Sequence, residues 1–141
     1  MELQHIEKEL RVVRLDDLKP YMDNPRHNNK SAKIVAKSIA AYGYINPIIV
    51  TENNIILAGH TRLKALRILG VEEADVLVIK GLSEDQIKGF VIADNRVGEY
   101  SLWNYSAIDR LLTDDKDPLM KELGMSSFKD NKKELEDLIN S

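Results

Sequence analysis

The sequence contains no cysteine, and this absence alone excludes several kinds of protein. A chain without cysteine has no disulfide framework, no thiol nucleophile and no cysteine-ligated zinc site. Long apolar runs are also missing: none could span a membrane, and residues Met1 to Leu10 are charged rather than signal-like. We therefore expect a cytoplasmic protein that has no membrane partner.

An excess of positive charge is missing as well. The 20 basic residues are outnumbered by 23 acidic ones, so the net charge is −3 and the isoelectric point is about 5.6. Proteins that bind nucleic acid through a broad basic surface carry the opposite balance, although a local basic patch remains compatible with these numbers. What is present, 43% hydrophobic and 30% charged residues in a chain of 141, indicates one globular domain with an adequate core.

Hydrophobic periodicity predicts an α/β protein (α+β if its elements are segregated) with a small mixed sheet and packed helices. The predicted strands are Arg11 to Leu15, Pro47 to Thr51, Ile55 to Ala58 and Ala74 to Ile79. The predicted helices run from an N-cap at Ser31 to Tyr42, from His60 to Gly70, and from Glu84 to about Gly98 behind a capping box of Ser83 and Gln86. The remaining segments are Met1 to Glu9, interpreted as a short helix or a loose arm, and Lys19 to Asn29, interpreted as turns.

Beyond Tyr100 the pattern changes to short, charged segments. The helices predicted there are Tyr105 to Leu112, Pro118 to Leu123 with Asp117 as N-cap, and Lys132 to Ile139. We therefore divide the chain into a domain of residues 1–100 and a helical C-terminal extension of residues 101–141. The apolar stripes of the extension are too short to predict dimerisation, so a homodimer stays open.

The clearest functional signal is Gly59-His60-Thr61-Arg62, where a predicted strand enters a predicted helix. Bare N–H groups at a helix start, beside a hydroxyl and cations, favour a bound phosphate. Gly59 would let a phosphate approach the backbone, Thr61 offers a hydroxyl, and the planar Arg62 guanidinium matches phosphate oxygens. The alternative is an ordinary turn into a helix whose cations are solvated.

A second candidate is Gly43-Tyr44-Ile45-Asn46-Pro47, which combines a helix stop with a strand entry. These structural roles account for Gly43 and Pro47, but they leave Asn46 unexplained. The side-chain amide of Asn46 would suit the edge of a nucleobase or a phosphate.

A third candidate is the pair Asp94 and Asn95. Asp94 is predicted on the buried face of its helix, three to four residues beyond Phe90 and Val91. A carboxylate there is costly unless it is paired or bound to a metal. Asp and Asn oxygens suit Mg²⁺ beside substrate phosphates, whereas the alternative is a buried ion pair between Asp94 and Arg96.

The fourth candidate is the segment Asn24-Pro25-Arg26-His27-Asn28. Asn-Pro is a common turn former, so a plain turn explains the segment. If the loop folds back toward the phosphate site, Arg26 and His27 would add positive charge to it.

Taken in order, these four segments resemble the N-terminal domain of the ParB/sulfiredoxin superfamily. The family pattern has Asn-Pro-x-x-x-Arg, a helix ending in Gly-x-x-Gln/Asn-Pro, then Gly-Glu-Arg-Arg-x-x-Ala or Gly-His-x-Arg-x-x-Ala, and finally Glu-Asn-x-x-Arg. Gly43 to Pro47 and Gly59 to Ala65 match the two central motifs, and Ala93 to Arg96 is similar to the last. The Gly-His-Thr-Arg form is similar to ParB-like domains of phages and mobile elements, many of which precede DNA methyltransferase domains.

The resemblance implies a site for a nucleoside triphosphate, CTP or ATP, together with Mg²⁺. The residues that it implies at the nucleotide are Gly43, Asn46, Pro47, Gly59, His60, Thr61, Arg62 and Arg26, with Asp94 and Asn95 at the metal. It also implies a role in DNA partition, DNA modification or its regulation; in chromosome-partition ParB the nucleotide is CTP and drives a DNA clamp. We expect DNA only as an indirect partner, through another protein or domain, because no helix-turn-helix pattern follows Trp103.

The chain departs from the partition proteins at His60 and Thr61, where they carry Glu-Arg, and at Asp94, where they carry Glu. One alternative is a small-molecule kinase of the free-serine type, whose general base would be Asp23 or Asp94. Another is a protein-interaction module with a decayed nucleotide site. Nucleoside triphosphate hydrolysis and phosphotransfer both stay open, whereas nuclease activity lacks the carboxylate cluster that two metal ions require.

Overall fold

The structure, a computed structural model, describes residues 2–21, 29–100 and 118–122. In chain order the elements are β1 (Glu7–Arg14), a short 3-10 helix (Leu15–Asp17), β2 (Lys19–Pro20), α1 (Asn29–Tyr42), β3 (Ile48–Thr51), β4 (Ile55–Ala58), α2 (His60–Ile68), β5 (Glu73–Lys80), α3 (Glu84–Tyr100) and α4 (Pro118–Glu122).

The five strands form one mixed sheet in the order β1-β5-β3-β4-β2. β1 lies antiparallel to β5 along its whole length, from Glu7 opposite Lys80 to Arg14 opposite Glu73. β3 runs parallel to β5 and antiparallel to β4, whereas β2 runs parallel to β4. This mixed sheet with packed helices confirms the predicted fold class.

Alternation along the central strands builds the core on one face of the sheet. Ile48 and Val50 of β3 lie opposite Val76 and Val78 of β5, and all four side chains are fully buried. The other members of this buried cluster are Val13, Leu15, Leu18, Ile56 and Leu66. Because Leu66 belongs to α2, the cluster attaches that helix to the sheet and so positions its first turn.

Helices α1 and α2 contact each other, and small side chains allow their close approach. Ala32 and Ala36 are buried one turn apart on α1, and Ala65 is buried on α2. The short helix α4 lies against α1, where Lys37 forms a 2.7 Å ion pair with Glu122. No helix within the described ranges is long and apolar enough to cross a membrane.

One helix stop signal, Gly43, and one helix start signal, the Ser83 capping box, are confirmed. Gly43 has a φ of +96°, and its N–H donates to the Ile39 carbonyl at 2.8 Å, so it ends α1 as predicted. The capping box is reciprocal: Gln86 N–H donates to the Ser83 hydroxyl at 3.2 Å, and Ser83 N–H donates to the Gln86 side chain at 2.9 Å.

Two predictions near the start of the chain are wrong. Residues 7–9 belong to β1 instead of a short helix or loose arm, because β5 supplies ladder partners that the local sequence does not reveal. Lys19 and Pro20 form an edge strand instead of a turn. Proline fits there because one side of an edge strand needs no N–H donor.

The remaining boundaries shift by a few residues. α1 begins at Asn29, so Ser31 lies inside the first turn and is not the N-cap, and α3 continues to Tyr100 instead of ending near Gly98. Leu15 belongs to the 3-10 helix and not to β1. Such signals locate helix ends only to within about a turn. The predicted helices Tyr105 to Leu112 and Lys132 to Ile139 lie outside the described residues, and the division at residue 100 stays a prediction.

Candidate functional site

The two central motifs of the sequence meet at one end of the sheet. The loop Gly43–Pro47 enters β3, and β4 runs directly into Gly59–Arg62. Because β3 and β4 are antiparallel neighbours, with Ile49 opposite Ala58, the beginning of one strand lies beside the end of the other. The topology therefore brings both predicted motifs into one neighbourhood.

Gly59 is held in a conformation and a space that only glycine fits. Its φ is +105°, in the left-handed region, where a Cβ is strained. A Cβ on Gly59 would also lie 3.1 Å from the Ile48 Cα and 3.2 Å from its Cγ1. Glycine is therefore strongly favoured here, and it seats the start of α2 against the start of β3; the approach of a phosphate to this backbone stays a prediction.

The first turn of α2 is suited to an anion. The N-cap residue is Gly59, which has no side chain that could form a capping hydrogen bond with the backbone N–H groups of the first turn. No acidic residue lies in that turn. The helix dipole concentrates positive partial charge at this end, and the Arg62 guanidinium adds a full charge. Thr61 and Arg62 are both half-buried. Backbone N–H groups, a hydroxyl and a guanidinium together match the oxygens of a phosphate.

His60 is a half-buried imidazole with an unusual environment. Its Nε2 atom is buried and has no hydrogen-bond partner among the described residues. Burial, and then the positive charge of Lys64, lower the pKa of His60 below its ordinary value. The imidazole is therefore biased toward the neutral form, in which one ring nitrogen donates and the other accepts.

Tyr44 belongs to this neighbourhood, although the sequence analysis gave it no role. Its hydroxyl accepts the Ile48 N–H at 2.8 Å and donates to the Asp75 carbonyl at 2.8 Å. Burial raises the pKa of Tyr44 above its ordinary value, although the positive charge of Arg62 acts to lower it. The only available signal was its position inside the loop motif, because nothing local indicates a bond to a residue 31 positions away.

Asn46 lies on the exposed part of the same loop. Its side chain is exposed, as is that of Ile45, which is 73% accessible, whereas Pro47 is half-buried at the entry to β3. An exposed amide in this loop is accessible from solvent. The role of Asn46 itself stays a prediction.

Arg62 and Arg67 lie in different surroundings although both belong to α2. Arg67 is near the end of the helix, where it contacts Asp16 at 3.1 Å and the Leu15 carbonyl at 3.5 Å. These contacts join α2 to the 3-10 helix that follows β1. Arg62 instead lies in the first turn, close enough to Tyr44 for its charge to affect that phenol.

The expectation that Asp94 lies on a buried stripe is wrong. Asp94 is exposed. Of the two residues that were predicted to share its face, Val91 is buried, with 6% of its surface accessible, but Phe90 is already 36% accessible. Among the strands, α3 contacts chiefly β4. A long helix keeps a buried face only where another layer covers it. Nothing is described of the Asn95 side chain, so the metal role of both residues stays a prediction.

The remaining predictions of metal and cation binding concern clusters of ligand side chains and the segment around Arg26. Within the described ranges, no three His, Asp or Glu side chains cluster to hold a metal ion. Arg26, with the rest of Asn24 to Asn28, lies outside the described residues. β2, the strand that precedes this segment in sequence, runs parallel to β4.

Fold and site together define a small α/β domain whose helix N-terminus and neighbouring loop suit a phosphorylated ligand. The chain belongs to the ParB N-terminal domain family, whose sequence profile matches residues 1–95.

The chain is similar to several proteins of this kind. It is 34% identical over 73 residues to the ParB-like nuclease domain-containing protein YnaK of Escherichia coli K12, covering 51% of this chain and 84% of that protein. It is 33% identical over 97 residues to a probable chromosome-partitioning protein ParB of Rickettsia felis, covering 67% of this chain and 34% of that one. The chain thus spans about a third of the length of its chromosome-partitioning relatives.

Solved structures agree on the fold. A C-terminally truncated chromosome-partitioning protein ParB from Caulobacter crescentus, complexed with CTP-γ-S, has a TM-score of 0.58 at 20% identity, over 75% of this chain and 63% of that one. A Pnob8-like ParB-N domain has a TM-score of 0.54 at 22% identity, over 77% of this chain and 43% of the other. At these identities the likeness establishes the fold alone.

Proposed function

We propose that this chain is a nucleotide-binding domain of ParB type that takes a nucleoside triphosphate, CTP in the first place, with Mg²⁺. The observation that carries the proposal is the contact of Gly59 with Ile48, which brings the first turn of α2 beside the loop Gly43–Pro47. The choice of CTP is supported by the Caulobacter ParB structure, which is complexed with a CTP analogue.

Each part of the site has a distinct task in this proposal. The N–H groups from Gly59 to Arg62 and the Thr61 hydroxyl bind phosphate oxygens, and Arg62 neutralises their charge. Asn46 orients the nucleotide from the exposed loop. The neutral His60 supplies a hydrogen-bonding group that a ligand can satisfy.

Mg²⁺ would be held by Asp94 with Asn95 and by the phosphates of the nucleotide. An exposed carboxylate fits that chemistry, because Mg²⁺ keeps several waters and commonly takes only one or two protein carboxylates beside phosphates. The ion would neutralise phosphate charge and fix the geometry of the phosphate chain. The cellular role that we propose is in DNA partition, DNA modification or the regulation of either.

The test is calorimetry and thermal melting with CTP, ATP, GTP and ADP, each with and without Mg²⁺. A nucleotide at 100 times its dissociation constant should stabilise the fold by about 2.7 kcal/mol. We expect the largest shift with CTP and Mg²⁺. No shift with any of the four at millimolar concentration would contradict the proposal, and phosphate release in the same samples would distinguish binding from hydrolysis.

A further inference from the structure

Tyr44 connects three parts of the chain at the candidate site through a single hydroxyl. The residue lies in the loop between α1 and β3, and its ring packs against the hydrophobic core. Its oxygen accepts the N–H of Ile48, the first residue of β3, and donates to the carbonyl of Asp75 near the start of β5. Both bonds are 2.8 Å long.

The chemistry of a phenol accounts for both bonds. A tyrosine hydroxyl has one proton to donate and lone pairs that accept, so it can serve a backbone carbonyl and a backbone N–H at once. A tyrosine hydroxyl keeps its proton at neutral pH, since its ordinary pKa is about 10. Burial raises the pKa of Tyr44 further. Phenylalanine has the same ring and neither bond, so the two functions of the side chain can be separated.

Within the loop, Gly43 is held at one end by its backbone bond to Ile39, and Pro47 is half-buried at the other. Gly43, Ile45 and Asn46 are exposed, and of the described residues in this loop Tyr44 makes the side-chain hydrogen bonds. Ile48, whose N–H is held by Tyr44, is also the residue on which Gly59 rests. One hydroxyl therefore helps to fix the loop, the start of β3 and, through Ile48, the surface that supports the first turn of α2.

We propose that Tyr44 is a positioning residue of the nucleotide site, which holds the loop Gly43–Pro47 and Ile48 in the binding arrangement before the nucleotide arrives. This inference rests on the proposed function. Tyr44 acts through Asn46 and Gly59 and makes no contact with the ligand itself. Without its hydroxyl, the loop occupies the competent arrangement for a smaller fraction of the time, and the apparent affinity falls by that fraction.

The experiment compares Tyr44→Phe with the wild-type chain in two measurements. Amide hydrogen exchange on the free protein should show faster exchange at Ile48, whose N–H has lost its acceptor. Stopped-flow binding of CTP with Mg²⁺ should show about a tenfold loss of affinity, equivalent to about 1.4 kcal/mol. Most of the loss should be in the association rate, because fewer molecules are competent, with the dissociation rate nearly unchanged.

Two control variants separate positioning from general destabilisation. Tyr42→Phe removes the same hydroxyl from a side chain that is 43% accessible at the end of α1. Val78→Ala creates a small cavity at a fully buried position further along β5. Both should keep wild-type affinity, even where Val78→Ala lowers the melting temperature. Replacing Tyr44 with p-aminophenylalanine, whose amine can donate to the Asp75 carbonyl but is a poor acceptor for the Ile48 N–H, should recover part of the affinity and little of the protection at Ile48.

The outcomes are distinguishable. Wild-type affinity in Tyr44→Phe, with or without faster exchange at Ile48, would overturn the inference and leave the proposed function standing. A raised dissociation rate alone would overturn it too, because that would indicate direct contact with the nucleotide. If the wild-type chain binds no nucleotide, the proposed function fails and this inference fails with it. If Tyr44→Phe does not fold, the p-aminophenylalanine variant carries the same comparison, and wild-type affinity without Ile48 protection there overturns the inference.

Discussion

Gly59 rests on Ile48 so closely that a Cβ at the glycine would lie 3.1 Å from the Ile48 Cα. The neighbour is backbone, so it cannot move aside as a flexible side chain would. The contact joins the end of β4 to the start of β3 at the point where α2 begins. Through this contact the sheet determines where the N-terminus of α2 lies.

The first prediction is that Gly59→Ala loses both stability and nucleotide binding. The left-handed backbone should cost about 1–2 kcal/mol, and the contact with Ile48 about 1–3 kcal/mol more. Chemical denaturation and calorimetry with CTP and Mg²⁺ measure the two effects.

The matched control for that change is Gly70→Ala. Gly70 also has a positive φ, +74°, but a Cβ there would meet nothing within 4 Å. Gly70→Ala should cost only the strain of the left-handed backbone, about 1–2 kcal/mol of stability, and leave nucleotide affinity unchanged. Equal behaviour of the two alanine variants would show that the Ile48 contact has no part in the site.

The second prediction contrasts two arginines of α2. Arg62→Ala should weaken nucleotide binding by about 1.5–3 kcal/mol, because it removes a charge-assisted contact to phosphate. Arg67→Ala should leave binding nearly unchanged, because Arg67 contacts Asp16 and Leu15 at the far end of the helix. Titration calorimetry on both proteins checks this, and wild-type affinity in Arg62→Ala would mean that the site lies elsewhere.

The third prediction concerns His60 and pH. Burial and Lys64 lower its pKa in the folded protein, so near the ordinary value of about 6.5 the unfolded chain binds the proton more readily. The contribution of neutral His60 to stability is therefore complete above about pH 6.5 and is lost as the pH falls through the lowered pKa of the folded state.

Urea denaturation from about pH 8 to pH 5 measures this effect. His60→Gln should flatten the acid side of the stability curve, while His5→Gln, an exposed position before β1, should keep the wild-type slope. An unchanged slope in His60→Gln would mean that other groups cause the acid loss.

The fourth prediction tests the metal role of Asp94. Because Asp94 is exposed, Asp94→Asn should change the stability of the free protein by no more than about 0.5 kcal/mol. If Asp94 binds Mg²⁺, the same change should weaken nucleotide binding in the presence of Mg²⁺ but not in its absence. Asp85→Asn, exposed in the first turn of the same helix, is the matched control and should bind as the wild type does. Unchanged Mg²⁺-dependent affinity in Asp94→Asn would remove this residue from the site.

The predictions from sequence succeeded where a short segment determines its own backbone. Gly43 and Gly70 end helices because their left-handed angles suit glycine, and both stops are where the pattern indicated. The Ser83 capping box is likewise closed by residues three positions apart. The resemblance that the two glycine motifs carry also predicted the family, and the pattern of strands and helices predicted the fold class.

The misses at residues 7–9 and at Asp94 share one cause, because both depend on whether a part of the chain remote in sequence lies against the residue. Residues 7–9 are strand only because β5 lies beside them, more than 60 positions later. Asp94 is exposed because no described layer of the fold covers that part of α3, which no periodicity within the helix could reveal.

The amino-acid sequence by itself determined where the glycines, caps and apolar alternations occur, because these depend on backbone angles and on neighbours within one turn or one strand. Only the tertiary structure decided that Gly59 rests on Ile48 and that Tyr44 bonds both Ile48 and Asp75. Those contacts depend on strand order, and strand order is set by the burial of apolar faces contributed from all along the chain.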